Sequence, residues 1–265
     1  MSEGACRPRD CALVVTTSAA DDDRLDPSVR RIAAVALFGG LLAQLDATIV
    51  NVSLSRLAAD MHSSLATIQW VTSGYLLALT LVLPLNGWLI DRTGAKMLYL
   101  WCFAAFTLSS ALCALAWSAN SLIASRILQG ISGGLLALMA QMMIARAAGK
   151  HMARVAGYMV LPILLAPVLG PVIAGVILQY ASWRWLFLVN LPVGSLAFLL
   201  AVLFLPGDRE ETRPRKLDWL GLALLSPGLA LFLYGSDKIS QMTGRGILVA
   251  GIVMMAAFLD GSAKR

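Results

Sequence analysis

The chain has 265 residues, of which 58% are hydrophobic and only 14% are charged. Soluble proteins carry about 25% charged residues, so this composition excludes an ordinary soluble domain and indicates a membrane protein. The net charge of +6 does not indicate a nucleic-acid partner, because the basic residues lie in short gaps between apolar runs instead of clustering on one face. The four cysteines fit neither a disulfide framework nor a zinc site.

The chain begins with a polar segment, residues 1–31, which we expect to be a disordered cytoplasmic tail. The apolar runs that follow are predicted to be transmembrane helices, since a bilayer core about 30 Å thick needs about 20 helical residues and lipid cannot satisfy backbone polar groups. Eight runs qualify, the last two of them short: 32–54, 68–90, 97–117, 121–145, 155–178, 186–206, 219–236 and 246–260. These runs predict an all-α integral membrane protein.

The distribution of basic residues orients the predicted spans. With the N-terminus in the cytosol, sixteen of the 21 Lys and Arg residues lie on the inner side, four lie outside, and Arg126 lies within a span. This bias follows the positive-inside rule and predicts a multi-pass protein of the plasma membrane. Residues 207–218 then form a cytoplasmic linker that precedes the two helices of 219–265.

Two opposite charges lie deep in the predicted spans. Asp46 is the only acid well inside a span, about 12 Å from its outer end, and Arg126 lies about 7 Å into the fourth span, at 1.5 Å per residue. An arginine side chain bridges that gap. The pair is either a static contact that fixes helix register or a site that loads and releases a proton, because burial and an opposite charge act in opposite directions on a carboxyl group.

Other polar residues in or near the spans are candidates for lining a cavity, and each is also a candidate for a helix–helix hydrogen bond. They are Asn51, Gln69, Gln129 and Gln141. In the fifth span, Ala166, Gly170 and Ala174 recur every four residues and predict a smooth face for close helix packing.

A charged seam, GWLIDRTGAK (Gly87 to Lys96), separates the second and third spans. Gly94 permits a tight cytoplasmic turn, since glycine accepts positive φ. Gly87 precedes Asp91 by one helical turn and is expected to let another helix approach closely.

An intramembrane serine hydrolase is a remote alternative. The stretch GISGG (Gly130 to Gly134) fits G-x-S-x-G, but that elbow follows a strand, and here the context is a helix. A serine nucleophile also needs a nearby base, and both histidines, His62 and His151, lie in opposite aqueous loops. No Walker motif is present, so ATP is not expected to drive transport.

Several motifs together resemble the major facilitator superfamily, in particular its fourteen-span drug:proton antiporter branch of the EmrB/QacA type. The seam resembles the loop 2–3 signature G-x-x-x-D-R-x-G-R-K/R. The other matching stretches, each in the expected span, are LDATIVNVSL (Leu45 to Leu54), RILQGISGG (Arg126 to Gly134), APVLGPVIAG (Ala166 to Gly175), WRWLFLVNLPVG (Trp183 to Gly194) and KLDWLG (Lys216 to Gly221). The chain departs from the family pattern at Ala95, Ser132, Ala166 and Ala174.

The resemblance implies roles for individual residues. It implies proton coupling for Arg126, with Asp46 as its partner. It implies a conformational gate made by Gly87, Asp91, Arg92, Gly94 and Lys96. It implies an antiporter motif at Gly170, Pro171 and Gly175.

The resemblance covers residues 32 to 258 and implies the six-helix N-terminal bundle (32–206) of a transporter, plus two further helices. The implied function is proton-coupled efflux of amphipathic drugs, with no cofactor beyond the proton gradient. The implied partners are the lipid bilayer, a small-molecule substrate and a second chain that supplies the missing bundle. The alternative is a truncated half-transporter that inserts into the membrane without transporting.

Overall fold

The structure is a computed structural model that describes residues 26–148, 152–205, 207, 219–237 and 242–263. Every regular element in these residues is helical. The elements are α1 (Pro27–Asp60), α2 (Leu65–Val82), a 3₁₀ turn (Leu83–Leu85), α3 (Asn86–Thr93), α4 (Ala95–Ala114), α5 (Ala119–Ala148), α6 (Met152–Tyr180), α7 (Trp185–Leu188), α8 (Asn190–Phe204), α9 (Trp219–Asp237) and α10 (Met242–Ala263).

Six segments within the described residues are long and apolar enough to cross a membrane. They are Pro27–Asp60, Leu65–Thr93, Ala95–Ala114, Ala119–Ala145, Val160–Tyr180 and Trp185–Phe204. These segments confirm the first six predicted spans and the all-α membrane fold. The remaining two apolar stretches are shorter, at Leu224–Ser236 and Met242–Phe258. The predicted tail lies outside the described residues up to position 25, as does nearly all of the predicted linker.

The helix ends follow local sequence chemistry. Asp26 caps α1 by accepting a hydrogen bond from the backbone N–H of Ser28 at 2.9 Å. This bond holds the pKa of the Asp26 carboxyl below its ordinary value. Pro84 cannot donate a backbone hydrogen bond, and the second span tightens there into the 3₁₀ turn. Gly94 has φ of 82°, so the predicted glycine turn between α3 and α4 is present.

Small residues set the closest helix approaches in the bundle. A Cβ atom built on Gly134 would lie 2.8 Å from the carbonyl oxygen of Leu79, and one on Gly130 would overlap the carbonyl oxygen of Tyr75. Both glycines lie on α5 and both neighbours lie on α2, so α5 packs directly on the α2 backbone. This close approach brings the part of α5 that carries Arg126 into contact with α2.

The predicted small-residue face of α6 packs on α1. Ala166 and Ala174 are fully buried, and a Cβ atom on Gly170 would overlap the hydroxyl of Thr48. The two C-terminal helices, α9 and α10, form a hairpin that packs closely on itself. This hairpin contacts α2, where the rings of Trp70 and Tyr234 stack with centroids 6.2 Å apart.

Candidate functional site

The two charges predicted to pair are in direct contact at the centre of the bundle. Nη1 of Arg126, on α5, donates to Oδ2 of Asp46, on α1, at 2.5 Å. Both side chains are 0% exposed. A buried ion pair of this kind is costly to desolvate unless further hydrogen bonds satisfy its remaining polar atoms.

Two aromatic rings lie near the guanidinium of Arg126. It lies 4.2 Å from the ring centroid of Tyr75 on α2 and 5.8 Å from that of Phe187 on α7. Its Nε donates to the backbone carbonyl of Val71 at 3.4 Å. Its Nη2 has no hydrogen-bond partner among the described residues. The faces of these two rings stabilise the positive charge of the guanidinium in addition to its hydrogen bonds.

The second carboxylate oxygen of Asp46 accepts two amide donors. Nε2 of Gln129 donates to Oδ1 at 3.0 Å, and Nδ2 of Asn190 donates to the same atom at 2.7 Å. The Nε2 of Gln129 also donates to the hydroxyl oxygen of Ser110 on α4, at 2.6 Å. We call these five residues the Asp46 cluster: Asp46, Ser110, Arg126, Gln129 and Asn190.

Three hydrogen-bond donors point at the two carboxylate oxygens of Asp46. Protonation of Asp46 would cancel one charge of the ion pair and require at least one donor to turn away. The Asp46 cluster joins residues of α1, α4, α5 and α8 through one carboxylate and its donors.

Two members of the cluster were not singled out by the sequence motifs. Asn190 is the single amide residue in the apolar run 186–206, and that isolation was the signal that could have identified it. Ser110 gave no comparable signal, because serine is common inside apolar helices. Both side chains are buried, with Asn190 2% exposed and Ser110 fully enclosed.

The four cavity candidates separate into two groups. Gln129 belongs to the Asp46 cluster and is fully buried. Asn51, Gln69 and Gln141 are exposed on the surface of the described bundle and do not join the cluster. Their role as cavity-lining residues stays a prediction.

The seam residues lie together at one end of the bundle. Nζ of Lys96 donates to the carbonyl oxygens of Val202 and Leu205 at 3.3 and 2.6 Å, so it caps the C-terminal end of α8. Arg92 lies over the ring of Trp88 at 5.3 Å. The helix expected to approach Gly87 is not found in the described residues, because nothing lies within 4 Å of a Cβ atom built there.

The antiporter-motif residues differ in their surroundings. Gly170 is buried against Thr48 of α1, which a side chain at this position would overlap. Pro171 is exposed, and Gly175 has open space where a Cβ would lie. Of the three, only Gly170 makes a close helix contact in the described residues.

The serine of GISGG has no catalytic geometry. The hydroxyl of Ser132 donates to the backbone carbonyls of Leu128 and Gln129 at 3.3 and 3.0 Å. His62 is exposed in the loop after α1, and His151 lies outside the described residues. The described part of the chain therefore offers Ser132 no base.

Comparison with curated proteins gives full-length relatives of related sequence. The chain is 41% identical over 247 residues to the Multidrug resistance protein B homolog of Mycobacterium tuberculosis (strain CDC 1551 / Oshkosh), covering 91% of this chain and 46% of the relative. It is 33% identical over 230 residues to the MdtD protein of Serratia proteamaculans (strain 568), covering 84% of this chain and 48% of that protein. The chain thus spans about half the length of the curated relatives it matches.

Solved structures share the fold. The inward-open xylose transporter XylE from E. coli superposes with a TM-score of 0.61 at 16% identity, covering 87% of this chain and 67% of that one. The human organic anion transporter MFSD10 gives a TM-score of 0.60 at 20% identity, covering 80% of this chain and 56% of that one. At these identities the likeness concerns the fold alone.

A match to a family model identifies the family of the chain. The model described as Major Facilitator Superfamily matches residues 36–261, which is most of the sequence. This match and the curated relatives indicate a multi-pass membrane protein and not a serine hydrolase. The membrane-helix bundle around the Asp46 cluster and the family match lead to one assignment: this chain belongs to the Major Facilitator Superfamily.

Proposed function

We propose that the chain forms the N-terminal part of a transporter that exports small amphipathic molecules in exchange for protons. The observation that carries this proposal is the buried Asp46–Arg126 ion pair, in which both side chains are 0% exposed. Ionisable residues inside a bundle are costly, and they commonly mark proton or substrate pathways. The name of the 41% identical relative, Multidrug resistance protein B homolog, supports drugs as the substrate class.

Proton coupling follows from the chemistry of the pair. Asp46 is the one group of the cluster that can exchange a proton at ordinary pH, because arginine keeps its charge and the other members are neutral polar side chains. Its three hydrogen-bond donors come from α5 and α8, so a shift of either helix changes how tightly the carboxylate is held. Alternating access would then change both the side that Asp46 faces and its affinity for a proton.

The proposed orientation places the N-terminus and the seam in the cytosol, according to the distribution of lysine and arginine. The seam is then a conformational latch at the inner rim. Asp91 is proposed to dock on the N-terminal end of a helix in the opposite bundle, where the helix dipole favours a negative charge.

The first test replaces Asp46 with asparagine in this chain joined to the C-terminal half of the M. tuberculosis relative. Asparagine keeps the size of the side chain but cannot take up a proton, so proton-driven efflux of a fluorescent amphipathic dye should fall to background. Membrane insertion should be unaffected. Asp60→Asn is the matched control, because Asp60 ends the same helix, is partly exposed and pairs with the nearby Arg56 at 3.4 Å.

Efflux at the control rate from the Asp46→Asn protein would remove Asp46 from the mechanism. The same assay on the 265-residue chain alone tests the alternative that this chain inserts without transporting. Dye efflux from the purified chain in vesicles would exclude that alternative. It would also imply that a second copy completes the pathway.

A separate prediction concerns the latch. Asp91→Ala in the joined protein should slow turnover several-fold while changing the dye dissociation constant by less than about twofold. The reason is that Asp91 lies in the last turn of α3, beside the Gly94 turn, and is not part of the Asp46 cluster. Stopped-flow efflux and equilibrium dye binding measure the two quantities. Weaker binding with unchanged turnover would contradict the latch.

A further inference from the structure

Asn190 occupies a corner between two helices, where it reaches the Asp46 carboxylate. α7 ends at Leu188 and α8 begins at Asn190. The Nδ2 atom of Asn190 lies 2.7 Å from Oδ1 of Asp46 and 3.5 Å from the hydroxyl oxygen of Ser110. Because Asn190 is only 2% exposed, this contact is shielded from bulk water.

The three donors to Asp46 do not come from the same element. Arg126 and Gln129 both lie on α5 and are tied to each other, because Nη1 of Arg126 donates to Oε1 of Gln129 at 2.7 Å. Asn190 is the donor that comes from α8. A displacement of α8 relative to α1 would therefore withdraw one hydrogen bond from the carboxylate while the ion pair to α5 stays intact.

We propose that Asn190 is a positioning residue that sets the proton affinity of Asp46 and makes that affinity depend on the placement of α8. This inference rests on the proposed role of Asp46 in proton coupling. An amide N–H that donates to a carboxylate stabilises its ionised form. With α8 in place, Oδ1 of Asp46 accepts a hydrogen bond from Nδ2 of Asn190. With α8 displaced, Oδ1 loses a donor and takes up a proton from water more readily, forming an O–H bond.

Ser110 gives the released amide a second acceptor. Its hydroxyl oxygen already lies 3.5 Å from Nδ2 of Asn190, at the limit of a hydrogen bond. A small shift of the amide toward Ser110 would keep its N–H satisfied while Asp46 is protonated. The buried amide is then not left without a partner in either state, which avoids the cost of an unsatisfied buried donor.

Few other charged or titratable groups surround Asp46, so the effect of Asn190 can be isolated. Among the side chains that the structure describes, the groups that face it from the packed helices are Arg126 on α5, Tyr75 on α2 and Cys113 on α4. α7 and α8 contain no titratable side chain. On α6, Tyr158 and Tyr180 are 70% and 80% exposed and lie away from the cluster.

The test measures the protonation of Asp46 directly in the purified 265-residue chain. The infrared carbonyl band of a protonated carboxyl group is recorded against pH, and its absence from Asp46→Asn identifies the band of Asp46. Asn190→Leu should raise the pH of half-protonation by about one unit, since one hydrogen bond to a charged group is worth about tenfold in equilibrium. Asn120→Leu is the matched control, because Asn120 is exposed at the start of α5.

A band that appears only in Asn190→Leu counts as the expected upward shift. An unchanged midpoint in a folded Asn190→Leu protein, or no Asp46 band in any variant, would overturn the proposal. If the leucine variant does not fold, Asn190→Ala provides the same test, because it removes the amide donor to Asp46 without adding a charge or a bulkier side chain.

The outcome is independent of the efflux assay. A shifted midpoint together with normal efflux by Asp46→Asn would uphold the positioning role of Asn190 and reject the coupling role of Asp46. An unshifted midpoint together with loss of efflux by Asp46→Asn would uphold the coupling role of Asp46 and reject the positioning role of Asn190.

Discussion

Replacing Arg126 with alanine is expected to destabilise the bundle by about 3–5 kcal/mol, the cost of leaving one member of a buried ion pair without its partner. The carboxylate of Asp46, which is 0% exposed in the intact pair, would keep only its two amide donors. The rings of Tyr75 and Phe187 would face an empty space in place of a cation. The measurement is the midpoint of thermal unfolding of the purified chain in detergent.

The matched control for that change is Arg56→Ala. Arg56 also pairs with an aspartate, Asp60, on the same helix, but the two side chains are 62% and 33% exposed. Exposed pairs contribute about 0.2–1 kcal/mol, so the control should change the unfolding midpoint little.

A double variant isolates the cause of the instability. Asp46→Leu combined with Arg126→Leu removes both charges, and it should recover much of the stability that Arg126→Ala loses. It should not recover proton-driven efflux in the joined protein. An Arg126→Ala protein as stable as the Arg56→Ala control would show that the pair is not needed to hold the helices together.

The second large effect is expected at the contact between α5 and α2. Gly130→Ala should destabilise the bundle by about 1–3 kcal/mol, because the added methyl group would enter the backbone of α2 at Tyr75 and force the helices apart. Gly134→Ala should act in the same direction, against Leu79 at 2.8 Å. Thermal unfolding of the purified chain measures both.

Gly157→Ala on α6 is the control for packing, since nothing lies within 4 Å of a Cβ atom at that position. Alanine favours a helix over glycine by up to about 1 kcal/mol, so this control should be neutral or slightly stabilising. Alanine is therefore expected to destabilise the bundle at Gly130 on α5 but not at Gly157 on α6. Equal effects at Gly130 and Gly157 would contradict the close approach of α5 to α2.

The sequence predicted the first six spans well because long apolar runs have few alternatives in a membrane. It placed the start of α1 at residue 32 and its end at 54, whereas the helix runs from Pro27 to Asp60. The additional turns at both ends carry charged residues, which lower the hydropathy there. The glycine turn at Gly94 was predicted correctly because only glycine readily adopts the required φ.

The sequence predicted a contact only between the two charged members of the candidate site. Asp46 and Arg126 stand out because a charge in an apolar run is rare, and their contact follows from their depths. The isolation of Asn190 in its apolar run made it a possible candidate, but its contact with Asp46 could not be predicted, because the sequence does not show which side of α8 faces α1. The open space beside Gly87 was also unpredictable, since the expected approach depends on a helix that the described residues do not include.

The carboxylate of Asp46 is connected to several helices, so we expect its protonation to determine the rate at which they move together. Asp46 on α1 is held by α5 and α8, Ser110 of α4 shares its amide donors, and Tyr75 of α2 lies against its arginine. A pH jump that protonates Asp46 should therefore be felt by every one of these helices in the same event. Fluorescent probes attached at the ends of α1, α2 and α8 should relax with a single shared rate constant, as the parts of one concerted switch.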